Sequence, residues 1–320
     1  MKKLLLICIV FATFVTGCSQ NHFNVPAETF ADSVRVLGVA PIIVDANSDI
    51  RHPQKEQLIA LLTELNRKYE PQLVRSLKAT GNFYTIALLD GEPQDIFGRL
   101  YSRRERRDDA AIVYNKYFWK NEELRSYIQK NNLDALMLIV VSGLTKSDKV
   151  VSVAQMKSMT SDYNYLIMTA QVVDANGTVL WEYPNFRQRI LSFDTLINLE
   201  YPDFSEADAN LTSNANVKFK TIDGIKRALE LKRKDLLLRE TQEPEIYGKQ
   251  FDDMVSLLKY DPDKEKKSPT PAAEAPKPAQ SAPQPVKAPE AKQAPAVPAP
   301  AAEKPTVPSD EIVPAKGSTL

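Results

Sequence analysis

The side chains best suited to chemistry lie in one short polar stretch that follows an apolar segment. Ser48, Asp49 and His52 are the residue types of a hydrolytic triad, but a single loop cannot easily place them correctly, and no nucleophile-elbow motif surrounds Ser48. Asp45, Asn47 and Asp49 alternate like calcium ligands, without the central glycine and distal glutamate of a calcium loop. We therefore interpret this stretch as a solvated loop that leads into a helix.

Four arginines within five positions form the main candidate for anion binding. Arg103, Arg104, Arg106 and Arg107 could clamp phosphate, sulfate or carboxylate groups on a partner protein, on lipid A or on peptidoglycan. The acidic residues among and after them could equally neutralise these charges on a solvated helix face. Both alternatives stay open at the level of the sequence.

Two further stretches have a binding interpretation and a packing interpretation. The aromatic cluster Tyr114, Tyr117, Phe118 and Trp119 could form a recognition surface, but we favour core residues under a helix. A basic amphipathic pattern over 225–239 could lie on an anionic membrane. Here too we favour a helix that packs on the core with its charged face outward.

Composition excludes several classes of function. The 41 basic residues balance the 41 acidic ones, which argues against nucleic acid as a partner. The whole chain has only two histidines and two cysteines, which leaves few combinations for a transition-metal site or a nucleophile–histidine pair. We therefore expect no catalytic residues, no metal and no cofactor other than covalent lipid, and hence no enzyme.

The order of apolar and polar segments predicts an α/β (α+β) fold. Strands and helices alternate in the first half, a β-hairpin region follows, and helices end the folded part; this order favours a single mixed sheet with flanking helices. Ala135 to Val141 reads as a buried strand, and Asn176-Gly177 as a hairpin turn with positive φ values. Helices are predicted at 53–80 (kinked or divided by Pro71), within 90–120, at 121–130, at 221–239 and at 246–259.

The last part of the chain differs in composition. Residues 262–320 are rich in proline, alanine and lysine and contain no aromatic residue. Such a segment cannot bury enough apolar surface to offset its ordering entropy, so it is predicted to be disordered. It could be a plain spacer, or its lysines could attract an anionic polymer such as peptidoglycan.

The N-terminal residues resemble a lipoprotein signal. Lys2-Lys3 precede an apolar run too short to span a membrane, and Val15-Thr16-Gly17-Cys18 resembles the lipobox of bacterial lipoproteins. The resemblance implies removal of residues 1–17 as a signal peptide, diacylation of Cys18, and further acylation, for instance with palmitate, on its amine. Ser19 in place of aspartate implies the outer membrane, with the domain facing the periplasm.

The element order is also similar to the small α/β domain of envelope lipoproteins such as the curli-secretion lipoprotein and the lipoprotein activators of penicillin-binding proteins. The predicted organisation is a lipidated N-terminus with a short tether (18–32), a globular domain (33–261) and the tail. The similarity implies an adaptor module anchored in the membrane that binds an envelope protein complex. The alternatives are a structural tether to peptidoglycan or a surface assembly and, ranked last, a cell-wall hydrolase.

Overall fold

A computed structural model describes residues 23–108, 113–152, 157–184, 195–205, 216–234 and 239–259. The predicted signal peptide, Cys18 and the tail from residue 262 lie outside the described residues. Within the described ranges, no helix is both long enough and apolar enough to cross a membrane.

Six helices and thirteen strands make up the described part of the chain. The helices are α1 Ala27–Ser33, α2 Lys55–Ala79, α3 Pro93–Leu100, α4 Asn121–Lys130, α5 Ile222–Glu230 and α6 Glu245–Leu257. The strands are β1 Val36–Val39, β2 Ile43–Val44, β3 Thr85–Leu88, β4 Tyr101–Arg107, β5 Tyr114–Trp119, β6 Ala135–Ser152, β7 Lys157–Asp174, β8 Val179–Tyr183, β9 Ile197–Asn198, β10 Glu200–Asp203, β11 Asn216–Phe219, β12 Lys232–Lys234 and β13 Glu240–Pro244.

A mixed sheet in the order β3-β1-β6-β7-β8 forms the centre of the domain. β1 pairs in parallel with β3 and β6, whereas β7 is antiparallel to both β6 and β8. β2 and β9 add to β6 and β7, and three two-stranded sheets complete the β-structure of the described residues. The predicted α/β fold with a mixed sheet is confirmed.

Helices cover both faces of this sheet, which explains the continuous apolar run of its central strand. In β6, Met137, Ile139 and Val141 belong to the core that contains α2, α5 and α6. The alternate residues Leu138 and Val140 pack with α3, α4 and β5. A strand buried on both faces needs apolar residues at every position, as the sequence predicted.

Helix α2 crosses one face of the sheet without interruption. The prediction that Pro71 divides it is wrong, because the helix runs from Lys55 to Ala79 with Pro71 inside it. The buried side chains of Leu65 and Leu73, before and after the proline, hold both halves of the helix against the same core.

A buried carboxyl group on α2 makes stability depend on pH. Glu70 is 5% exposed and its Oε1 accepts a hydrogen bond of 2.7 Å from the backbone N–H of Ile42. Burial raises its pKa above the usual 4.5, despite the opposing effects of that hydrogen bond and of Arg67. A raised pKa in the folded state means that stability is greatest at low pH and falls as pH rises from about 4.5 through the folded-state pKa.

We therefore expect Glu70→Gln to stabilise the protein at pH 7 relative to wild type. Glutamine keeps an acceptor for the Ile42 N–H but carries no charge. Melting temperatures from pH 4 to pH 8 test this, with the exposed Glu64→Gln on the same helix as control. The burial argument fails if the difference between Glu70→Gln and wild type does not grow with pH.

The Arg-rich segment is not helical beyond residue 100. The predicted helices within 90–120 are only partly correct: α3 ends at Leu100, and β4 and β5 then pair as an antiparallel hairpin. Buried polar contacts attach this hairpin to other parts of the domain, including a 2.7 Å hydrogen bond from Trp119 Nε1 to Gln171 Oε1 on β7. These contacts are made with residues far away in the sequence, so local helical propensity did not decide the outcome.

Two other predicted boundaries change. The helix predicted at 221–239 ends at Glu230, and the basic residues Lys232 to Lys234 form an edge strand paired with β13. The predicted tether is in part folded structure, because Phe23 and Phe30, which precedes the end of α1, are buried in the main core. The helix predicted at 246–259 is confirmed as α6.

The hairpin turn between β7 and β8 lies where it was predicted, with a different conformation. Only Gly177 has positive φ (+80°) in this turn, not Asn176. The Asp174 carboxylate accepts hydrogen bonds from the backbone N–H groups of Asn176 and Thr178, at 2.9 and 2.8 Å. The aspartate therefore organises this turn together with the glycine.

Candidate functional site

The candidate residues of the sequence meet at one edge of the sheet. β1, β2 and β6 are parallel, and the polar loop beginning at Asp45 directly follows the carboxyl end of β2. This is the edge at which open α/β sheets usually bind ligands. Here the loop lies against Gly143 of β6, and the β4–β5 hairpin lies beside the loop.

Asp45 is the centre of a buried polar junction. Its side chain is 2% exposed. Its Oδ2 accepts hydrogen bonds from the guanidinium of Arg104 and from the hydroxyl of Tyr117, the latter at 2.8 Å. Its Oδ1 accepts from the Asn47 N–H at 3.0 Å, and Arg104 also donates to the Asn47 carbonyl at 3.2 Å. One carboxylate thus links the loop to both strands of the hairpin.

The electrostatics of this junction favour a charged Asp45–Arg104 pair and a neutral Tyr117. Burial raises the Tyr117 pKa well above 10, and the negative charge of Asp45 raises it further. For Arg104, burial lowers the pKa, but the hydrogen bond and the charge of Asp45 outweigh it and the net pKa is raised. The tyrosine therefore acts as a hydrogen-bond donor rather than as a base.

Ser48 and His52 do not form a catalytic pair. The Ser48 hydroxyl donates to the Asp45 carbonyl at 2.5 Å and accepts from the Gly143 N–H at 2.9 Å. The His52 ring accepts from the Gln54 N–H at Nδ1 (3.0 Å), so Nε2 carries the proton that bonds the Lys220 carbonyl at 2.8 Å. Ser48 and His52 are 5% and 6% exposed, so the prediction of a solvated loop is wrong.

Sequence reasoning missed Asn164, which fixes the far end of the loop. Its Oδ1 accepts from the Arg51 N–H at 2.9 Å, and its Nδ2 donates to the Asp49 carbonyl at 2.7 Å. Nδ2 also approaches the Leu144 carbonyl and the Thr145 hydroxyl at 3.0 Å each. Nothing near Asn164 in the sequence indicates this role, because its partners lie far away in the chain.

The four arginines of the candidate anion site are not equivalent. Along β4, Arg104 and Arg106 point to one side: Arg104 bonds Asp45, and Arg106 bonds Asp108 at 2.8 Å and the Thr145 carbonyl at 3.2 Å. Arg103 points to the other side, where it forms an ion pair with Glu105 and lies 3.8 Å from the centroid of the Phe118 ring.

Arg107 alternates with Arg106 and is partly buried on β4. The alternative of a solvated helix face is therefore wrong, since the segment is a strand whose guanidinium groups also bind other parts of the domain. Three of these arginines pair with carboxylates of the same chain.

The aromatic cluster next to the arginines belongs mainly to the core. Tyr114, Tyr117 and Trp119 are buried, and Phe118 is half-buried under Arg103. The preference for core residues is correct, but they lie on a strand and not under a helix. The stacked rings of Tyr117 and Trp119, 6.0 Å apart, pack with Phe97 of α3.

The chemical capacity of this junction is to hold elements together. The carboxylate of Asp45 is occupied on both oxygens, and the hydroxyl of Ser48 is occupied as donor and acceptor. Across the described ranges, no group of three or more histidine, cysteine, aspartate or glutamate side chains is arranged to hold a metal ion.

Comparisons with known proteins give only distant similarities. No family model matches the chain, and no curated protein matches it. Among solved structures it is similar to the PelC dodecamer of Paraburkholderia phytofirmans, at 10% identity over 47% of this chain and 68% of that one, with a TM-score of 0.20. It is also similar to a protein from Helicobacter pylori described as a neuraminyllactose-binding hemagglutinin homolog, at 10% identity over 73% and 89%, with a TM-score of 0.29. At such TM-scores these likenesses support no statement about function.

Proposed function

We propose that this protein is an envelope lipoprotein, anchored through acylated Cys18 in the outer membrane and facing the periplasm, which binds a partner protein of the envelope. The observation that carries the binding role is the ribbon formed by the outer parts of β6 and β7. The two strands pair without interruption over 18 residues each, from Ala135 with Asp174 to Ser152 with Lys157. Beyond Thr145, no third strand pairs with the ribbon among the described residues.

A two-stranded ribbon is only marginally stable alone in water. In this ribbon the residues from Lys146 to Lys149 are exposed on both faces, and Val151 is 60% exposed. A chain that keeps such an element without covering it favours a role in which another molecule covers it. This supports a binding module over a purely structural tether.

The attachment of the N-terminus also supports display of the ribbon. Phe23 forms a β-bridge with Trp181 of β8, only five residues after Cys18, so at most about 17 Å of chain connects the acyl groups to the folded domain. Trp181 lies in line with Met137 of β6, and Ser152 is 15 residues further along that strand. At about 3.3 Å per residue, the outer end of the ribbon lies up to roughly 50 Å along the strand from this attachment.

Crosslinking in intact cells tests the proposal. Photoreactive residues at Ser147 and Ser158 of the ribbon are expected to give discrete protein adducts, whereas the same residue at Glu64 on α2 is not. Cys18→Ser is expected to release the chain from the membrane fraction. Association with the peptidoglycan sacculus without protein adducts would favour the structural tether, and membrane retention of Cys18→Ser would contradict the lipid anchor.

A further inference from the structure

The ribbon has one open edge, and the hydrogen bonds at its base identify it. On the outer side of β6, the carbonyls of Met137 and Val141 accept from the N–H groups of Ala40 and Asp45, at 3.0 and 2.9 Å. Further along, the Gly143 N–H donates to Ser48 and the Thr145 carbonyl accepts from Arg106. The backbone groups of the odd-numbered residues of β6 therefore point away from β7.

By the same alternation, Ser147, Lys149 and Val151 present their N–H and C=O groups outward. Only the Lys149 N–H has a partner within the described ranges, the Asp148 carboxylate at 2.7 Å. The remaining five groups form an unpaired strand edge, which is a template for another strand. The β7 side differs, because β9 pairs with β7 at the base and Phe204 packs against Met159 further out.

Charge indicates what kind of strand fits this edge. Lys146 and Lys149 are exposed along it, and Arg106 reaches its base at the Thr145 carbonyl. Two copies of this chain could pair antiparallel along the free stretch, but a register centred on Lys149 or on Asp148 places like charges opposite each other, which is destabilising. A strand with an acidic side chain meets the lysines favourably, and an apolar one covers Val151.

We propose that the β6 edge from Ser147 to Val151 binds an extended segment of a partner protein as an added strand, with an acidic side chain opposite Lys149. This inference rests on the proposed function and specifies how the ribbon engages its partner. Backbone hydrogen bonds supply affinity in such complexes, and the alternating side chains supply specificity.

Binding of two synthetic peptides to the purified full-length chain tests this inference. The probes are acetyl-Thr-Val-Thr-Glu-Thr-Val-Thr-amide and its counterpart with lysine for glutamate, each fluorescently labelled and followed by anisotropy. We expect the glutamate peptide to bind at least about tenfold more tightly than the lysine peptide, and Lys149→Glu to reverse this preference. Equal binding of the two peptides, or no binding of the glutamate peptide, overturns the inference.

Proline substitution separates edge pairing from other contacts. Val151→Pro removes one outward N–H and obstructs strand addition, so it is expected to weaken binding of the glutamate peptide by about tenfold or more. Lys55→Pro, at the first position of α2 where proline is tolerated, is the matched control and should bind like wild type. Circular dichroism and the melting temperature verify that both variants fold.

The remaining outcomes also discriminate. A wild-type dimer in sedimentation experiments that is lost in Val151→Pro would assign the edge to a second copy and overturn the inference. Ribbon adducts in cells that survive Val151→Pro would overturn edge pairing and leave the proposed function intact. Absence of any ribbon adduct would contradict the proposed function itself.

Discussion

Replacement of Arg104 by alanine is expected to destabilise the domain by about 3 kcal/mol, because it leaves the Asp45 carboxylate buried without its cation. For a domain of this size such a loss lowers the melting temperature by on the order of 10 °C. Tyr117 and the Asn47 N–H still donate to Asp45, but neither carries a positive charge. Urea unfolding measures the loss as a lower midpoint with an unchanged slope.

The neighbouring arginine is the matched control. Arg103 is half exposed and its ion pair with Glu105 is exposed too, so Arg103→Ala should cost no more than about 1 kcal/mol. The double variant Asp45→Asn, Arg104→Met removes both charges and should recover much of the loss seen in Arg104→Ala. Equal costs for Arg103→Ala and Arg104→Ala would contradict the description of the junction.

A methyl group at Gly143 is expected to be similarly damaging. An alanine Cβ there would lie 2.5 Å from the Asp49 carbonyl oxygen and 2.6 Å from its carbon, both backbone atoms of the loop. The loop would have to move away, which weakens the Ser48–Gly143 and Asn164–Asp49 hydrogen bonds. We expect Gly143→Ala to cost about 3 kcal/mol, at the upper end for overpacking.

A second glycine provides the control for this substitution. Gly98 lies inside α3, and an added Cβ meets nothing within 4 Å. Gly98→Ala should therefore be neutral or stabilise the protein by up to about 1 kcal/mol through helix propensity. Unfolding midpoints of the two variants decide the matter, and an undiminished midpoint for Gly143→Ala would show that the loop is not held closely against β6.

Both experiments also bear on the binding proposal. The loop and the β4–β5 hairpin flank the base of the ribbon, where Arg106 contacts Thr145 and Tyr114 packs with Leu144. If the junction serves to hold the ribbon base, variants that destabilise it should weaken peptide binding only when they also unfold the domain. The double variant Asp45→Asn, Arg104→Met is suited to this comparison, since it is designed to stay folded.

The sequence alone determined the elements whose signals are local. The apolar run from Ala135 to Val141 indicated a strand buried on both faces, the spacing of leucines indicated α2, and Asp174 to Thr178 indicated a hairpin turn. These predictions succeeded because hydrophobic periodicity and turn chemistry act within a few residues.

Only the tertiary structure decided the segments whose partners are distant in the chain. The arginines of 103–107 have a pattern compatible with a helix, yet they form a strand because β5 pairs with them and because Asp45 and Thr145 bind Arg104 and Arg106. Likewise, 232–234 form an edge strand against β13 rather than continuing α5. Strand pairing and buried ion pairs join residues that the sequence does not place together. The same reason explains why the loop after β2 read as solvated, whereas the hairpin and β6 bury it.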